Sequence, residues 1–205
     1  MKTLITSPNI TPSIQSVAVY CGSSSGTDPA YSRAAKQVGY GLAVRGIRLV
    51  YGGGCAGLMG DVANAALLEG GTVVGVIPDR LVSKEAAHKG LTQLHIVPDM
   101  HTRKNMMMDL SDGFITLPGG IGTFEELFEV WAWLQLGYHR KPIGLLNIKG
   151  YYDPLLAMMQ HSVKQGFVRA ENNQQLLVAS DLETLLAKMN TFIPMDSDAW
   201  LRSKY

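Results

Sequence analysis

Short runs rich in β-branched residues alternate with longer helical patterns along most of the chain, and this alternation limits the fold more than any other feature. "SVAVYC" (16–21), "IRLVYG" (47–52), "TVVGVIP" (72–78), "QLHIVP" (93–98), "GFITLP" (113–118), "KPIGLLNI" (141–148) and "QLLVAS" (175–180) read as strands. Helical patterns stand between them at 28–46, 57–71, 99–111, 123–137 and 151–166, with a last one at 181–189. Asp28, Asp99 and Asp181 sit where N-caps belong, Pro29 suits the first helical position, and Gly46 suits a C-terminal stop. Strand–helix alternation of this kind predicts βαβ units on a parallel sheet with helices on both faces. The runs at 72–77 and 142–148 are almost wholly apolar, as strands buried on both faces are. The expected fold class is therefore α/β, a doubly wound parallel sheet of about seven strands. Residues 79–92, "DRLVSKEAAHKGLT", lack either period and read as a mobile surface loop.

The totals exclude several classes of function. A chain of 205 residues with a net charge of +1 has no overall field to attract nucleic acid or an anionic membrane. No apolar run approaches the roughly 18 residues that a membrane span needs. The start, "MKTLITSPNITPS", lacks the apolar core of a signal peptide and reads as a loose tail. Cys21 and Cys55 form no CxxC pair and read as reduced thiols, which points to the cytoplasm. The five histidines have no metal-ligand spacing, so no metal site is expected.

Ligands of an open parallel sheet bind beyond the carboxyl ends of its strands. Three of those ends carry loops of small residues that lead into helices: "GSSSGTDP" (22–29), "GGGCAGLMG" (52–60) and "GGIGT" (119–123). Helix N-termini offer unpaired N–H groups and a partial positive charge, and glycine lets a phosphate approach the backbone. Gly22, Ser23, Gly53, Gly54, Gly119, Gly120, Ile121, Gly122 and Thr123 are thus candidate contacts for an anion, most simply a nucleotide phosphate. No Gly-Lys-Ser/Thr follows any loop, and no clean GxGxxG has an acid at the next strand end. P-loop NTPases and ordinary NAD dehydrogenases are disfavoured accordingly.

Arg103 and Lys104 fall in the first turns of the helix expected after Asp99, the end where the dipole disfavours cations. They form either a solvated charged face or part of an anion site on the same sheet edge. The Met106–Met108 run reads as core filling. Glu126 also has two readings. With Thr123 as N-cap it completes a capping box; alternatively its carboxylate faces Arg103 at the mouth of a phosphate loop and acts on the ligand.

"PGGIGTFEE" (118–126) matches a PGGxGTxxE signature and "MHTRK" (100–104) resembles the MHxRK segment that precedes it. With "CGSSSG" and "GGGCAGLMG", these segments resemble the LOG (Lonely Guy) family over residues 15–180. The resemblance implies a Rossmann-like fold and hydrolysis of the N-glycosidic bond of cytokinin riboside 5′-monophosphates, with no metal or organic cofactor. It implies Arg103 and Glu126 as the catalytic pair, and Lys104 and the 120–125 loop, including Glu125, as substrate-binding. Glu85 matches an acid that contacts substrate. It implies a homodimer with Trp131 and Trp133 available to an interface or to the core. Met100, Met106 and Leu134 are candidates for an apolar base pocket. The expected organisation is a flexible tail at 1–13, one nucleotide-binding catalytic domain at 14–190 and a weakly ordered tail at 191–205. A general AMP or GMP nucleosidase and a nucleotide-binding protein without hydrolysis remain as alternatives. An older family label, lysine decarboxylase, finds no support in these residues.

Overall fold

The computed structural model describes residues 14–82 and 87–195. Its strands are β1 (Ser16–Tyr20), β2 (Arg48–Tyr51), β3 (Val73–Pro78), β4 (Gln93–Val97), β5 (Gly113–Thr116), β6 (Ile143–Leu146) and β7 (Leu176–Ala179). Its helices are α1 (Pro29–Ala43), α2 (Gly57–Leu68), α3 (Met100–Asp109), α4 (Ile121–Gln135), α5 (Asp153–Lys164), α6 (Ala170–Gln174) and α7 (Leu182–Asn190). The strands form one seven-stranded sheet in the order β4-β3-β2-β1-β5-β6-β7. Every pairing in it is parallel.

The period-two alternation of each central strand feeds two separate cores. Val17 and Val19 of β1 face α1, α2 and α7, packing with Leu42, Val62 and Leu185. Ala18 and Tyr20 face α3, α4 and α5, packing with Met107, Leu127 and Tyr152. Helices thus cover both faces, as the nearly continuous apolar strands require. The three expected N-caps are present: Asp28, Asp99 and Asp181 each accept a backbone N–H, from Ala30, Thr102 and Thr184, at 2.8 Å.

The chain turns back at β1. Strands β1 to β4 are laid down in one direction, and β5 then pairs with the other side of β1, Tyr20 opposite Thr116. The carboxyl ends of β1 and β5 are therefore the switch point, where the loops of neighbouring strands diverge and leave a crevice.

Some boundaries differ from the sequence reading. The five residues of α6 were not foreseen, because "AENNQ" is too short to show a helical period. Residues 191–195 are tied down rather than loose: Phe192 is buried in the core, and the Met195 N–H donates to Gln175 Oε1 at 3.1 Å. The irregular 79–92 stretch opens with a short 3-10 turn at Asp79–Leu81. It returns to the sheet at Ala87, which bridges to Gly54. Residues 1–13, 83–86 and 196–205 lie outside the description, and with them most of the two expected tails. Among the described residues, no helix is long and apolar enough to cross a membrane.

Candidate active site

Small residues let the loops at the switch point meet backbone to backbone. The Gly22 N–H donates to Pro118 O at 3.1 Å, and the Met59 N–H donates to Gly22 O at 3.3 Å. A Cβ on Gly22 would lie 3.0 Å from Ser24 O and 3.3 Å from Gly119 Cα, a tight fit that the neighbouring backbone would have to ease. Gly57 has φ +58, and a Cβ there would strike the backbone of Ser23 and Ser24. Two aromatic hydroxyls brace the β5–α4 turn from below. Tyr151 Oη–H donates to Gly119 O at 2.6 Å and Tyr152 Oη–H to Leu117 O at 2.7 Å.

A cavity of about 230 Å³ opens between these loops and α3, and both Arg103 and Glu126 line it. Arg103 is 5% exposed and Glu126 9%. The guanidinium is fixed by the sheet itself: Nε donates to Val76 O and Nη2 to Gly52 O, each at 3.1 Å. Gly52 directly follows β2 and Val76 lies within β3, so two neighbouring strands aim one side chain. Gly52 is glycine for a steric reason, since a Cβ there would overlap the guanidinium. Burial, with the Glu126 and Glu129 carboxylates beside it, holds the Tyr20 phenol well above its ordinary pKa, while Arg103 pulls the other way. Burial, then Glu126, likewise pushes up the Cys21 thiol. Both cavity-lining groups therefore stay protonated, which leaves Arg103 and Glu126 as the acid–base residues of interest in this pocket.

The start of α4 corrects the capping-box reading. The helix begins at Ile121 with Gly120 as N-cap, and no side chain caps it. Thr123 lies inside the first turn, buried against Gly119, and Glu126 lies in the second turn. Glu126 is too far along the helix for the N3 role, so end-capping does not explain its place. A Cβ on Gly120 or Gly122 would meet nothing within 4 Å. The protein's own packing does not demand glycine at either position, yet both are bare and both line the cavity. The uncapped N–H groups beside them are open to an acceptor from outside.

A second cavity of about 220 Å³ adjoins the first and shares Gly22, Ser23 and Gly120 with it. Ser24, Gly26, Tyr31, Gly119 and Tyr151 complete its walls. Together the two form a cleft with a small-residue floor at one end and the Arg103–Glu126 pair at the other.

Other expected residues fall elsewhere. Gly53 and Gly54 do not line the cleft: they hold the returning loop, with the His88 N–H donating to Gly53 O at 2.9 Å and Ala87 bridging Gly54. Gly53 has φ +78 and packs under Ile77 and Leu94. The member of that run that reaches the cavity is Gly52. Lys104 is buried away from the cleft and ion-paired with Glu125 and with Glu129 at 2.9 Å. Glu125 is thereby engaged with Lys104. Glu85 lies outside the described residues. Met100 lines the cavity, as does Ile121, which is 88% exposed. Met106 and Leu134 instead pack in the core beneath α3 and α4.

Tyr20, Met59 and Tyr151 were not anticipated. Tyr20 ends β1 on the face that receives α3 and α4, a place that strand alternation alone signals. Tyr151 follows β6 on the same sheet edge, but its bond to Gly119 O depends on how β6 sits beside β5.

A family model described as possible lysine decarboxylase matches residues 59–189. The cytokinin riboside 5′-monophosphate phosphoribohydrolase of Rhodococcoides fascians is 48% identical over 181 residues, 88% of this chain and 91% of that protein. The phosphoribohydrolase LOG of Oryza sativa subsp. japonica is 43% identical over 87% of this chain and 74% of its own. Among solved structures, the molybdenum cofactor binding protein of Rippkaea orientalis superposes with a TM-score of 0.63 at 22% identity, covering 84% of this chain and 93% of that one. At that identity the likeness is one of fold.

Proposed function

This chain belongs to the LOG family, and from that premise we propose that it hydrolyses the N-glycosidic bond of cytokinin riboside 5′-monophosphates to free base and ribose 5-phosphate. The observation that carries the proposal is the cleft itself. A buried Arg103–Glu126 pair stands beside a helix N-terminus whose glycines, 120 and 122, leave room that nothing in the protein fills.

The chemistry follows from that layout. The 5′-phosphate is placed at the α4 N-terminus and the 22–26 loop, where N–H groups and the helix dipole favour an anion. The ribose then lies over Glu126, with the base toward Met59, Met100 and Ile121. As the C1′–N bond lengthens, positive charge grows on the sugar and its electron pair leaves with the base. The Glu126 carboxylate stabilises that charge and takes a proton from the water that attacks C1′. The proton taken by Glu126 is passed on, directly or through water, to the departing ring nitrogen, so the carboxylate is regenerated and the products are neutral base and ribose 5-phosphate. Arg103, held by Val76 O and Gly52 O, presents a fixed positive charge to the same cavity.

The proposal includes a cytoplasmic setting, supported by the exposed free thiol of Cys55. It also includes a homodimer, supported by the exposed apolar Leu136, Tyr138 and Phe167.

The test is free-base release measured chromatographically with isopentenyladenosine 5′-monophosphate, AMP and GMP. Preferential cleavage of the prenylated nucleotide is expected. Equal cleavage of AMP would move the activity to general nucleotide salvage, and binding without cleavage would make this a nucleotide-binding protein.

Two further results are expected. Phosphate binding remote from the scissile bond supplies energy for positioning at C1′. Isopentenyladenosine, which lacks the phosphate, should therefore show kcat/KM lower by about 100-fold, or ~3 kcal/mol; equal values would remove the phosphate anchor. Gly122→Val fills open space in a helical first turn, so stability should hold or rise by a few tenths of a kcal/mol. Nucleotide affinity should fall at least about tenfold, as calorimetry would read, because the added methyls narrow the phosphate site. Unchanged affinity would place the phosphate elsewhere.

A further inference from the structure

Arg103 and Lys104 are adjacent on α3, so their side chains leave the helix about 100° apart. They meet different partners. Arg103 is anchored on the sheet through Val76 O and Gly52 O and lines the cavity. Lys104 crosses to α4, where Glu125 and Glu129, one turn apart on the same stripe, both accept from Nζ. The lysine side chain is 8% exposed. Among the described residues, Glu129 Oε2 is buried with no hydrogen-bond partner, so the lysine is the group that compensates this carboxylate. Glu126 stands between these two glutamates in sequence, one residue after Glu125 and three before Glu129.

The sheet therefore aims Arg103 directly through two carbonyls, whereas Glu126 is carried by α4, which packs on the sheet through the apolar Leu127 and Val130. A directional contact between α3 and α4 would add to that packing and hold the two residues in one cavity. We propose that Lys104 is that contact: a buried clamp which, through Glu125 and Glu129, fixes the register of α4 and so the placement of Glu126 relative to Arg103. It acts as a positioning residue and does not bind the substrate phosphate. A buried cation with two acceptors suits this role because its partners are specified in direction. Arg103 and not Lys104 lines the cavity. This inference rests on the proposed hydrolysis for its kinetic test, and a stability measurement separates the two.

Lys104→Met and Glu129→Gln are made singly and together in the full-length protein. For each, kcat, KM and the ratio of nucleotide to nucleoside kcat/KM are measured, along with thermal unfolding. The clamp predicts that Lys104→Met lowers kcat about 10- to 100-fold, since sub-ångström misplacement of a catalytic group costs that much. KM should stay within about twofold, and the preference for the phosphorylated substrate should be retained. Lys104→Arg should restore part of kcat. A rise in KM with unchanged kcat, and a collapse of the nucleotide preference, would overturn the clamp and make Lys104 a phosphate ligand. Unchanged kinetics would overturn it as well. If the wild-type protein cleaves no nucleotide, the hydrolase reading fails, and the clamp is still decided by unfolding. The double variant should then lose less melting temperature than the sum of the singles, and additive losses would refute it. If Lys104→Met does not fold, Glu129→Gln alone carries the same kinetic comparison.

Discussion

Glu126→Gln should leave base release at least about 100- to 10,000-fold below wild type in kcat, the range that a positioned acid–base group contributes. The substitution keeps the volume of the side chain and removes the charge to which the proposed mechanism assigns stabilisation of the ribosyl cation and acceptance of the water proton. The structure sharpens this expectation, because α4 starts at Ile121 and Glu126 lies in the second turn. A capping glutamate would lose helix stability on mutation; this one should not. Melting temperature should move by only a few degrees, and nucleotide binding by calorimetry should persist. A variant that melts early yet retains wild-type turnover per folded molecule would return Glu126 to a structural role.

Arg103→Ala should lower kcat by about 100- to 1,000-fold, comparable with removal of one preorganised electrostatic donor. This residue differs from Glu126 in having a structural cost that can be stated beforehand. Its guanidinium satisfies Val76 O and Gly52 O in a buried place. Truncation strands both carbonyls, at about 1–3 kcal/mol for each group left unsatisfied. At roughly 2–4 °C per kcal/mol for a chain of this size, the loss is visible in thermal unfolding. Activity must then be expressed per folded molecule. Arg103→Lys discriminates further: it restores the charge, but a single ammonium lacks the planar fork that spans two neighbouring strands. It should recover less than a tenth of the activity. Wild-type rates in either variant would remove Arg103 from the site.

The fold was readable because its signals are local. Strand alternation, Asp N-caps at 28, 99 and 181, and glycine at strand exits each depend on neighbours within a few residues, and each appears where the pattern put it. The site was readable in outline for the same reason: parallel strands deliver their loops to one edge, so Arg103, Glu126 and the 22–26 and 119–123 loops had to converge there. The errors arose where a local signal had two satisfactory uses. Thr-x-x-Glu at 123–126 has the form of a capping box, but bare Gly120 lets the helix begin three residues earlier. In the run 52–54, any glycine could have met the ligand. Only packing against β3 and the 87–88 segment assigned Gly53 and Gly54 to structure and left Gly52 beside the guanidinium.

Local sequence patterns carried the doubly wound α/β sheet, the family, the edge at which a ligand is expected, and Arg103 and Glu126 as candidates for the chemistry. Tertiary structure alone decided what each charge pairs with. Arg103 and Lys104 are neighbours in the chain with similar charge, and nothing local separates their roles. The distance from α3 to β2 and β3 on one side, and to α4 on the other, makes one a cavity-lining residue and the other an ion-pair partner of Glu125 and Glu129. Pairing energies depend on separations set by packing across the whole fold, whereas periodicity and turn chemistry are written within a few residues.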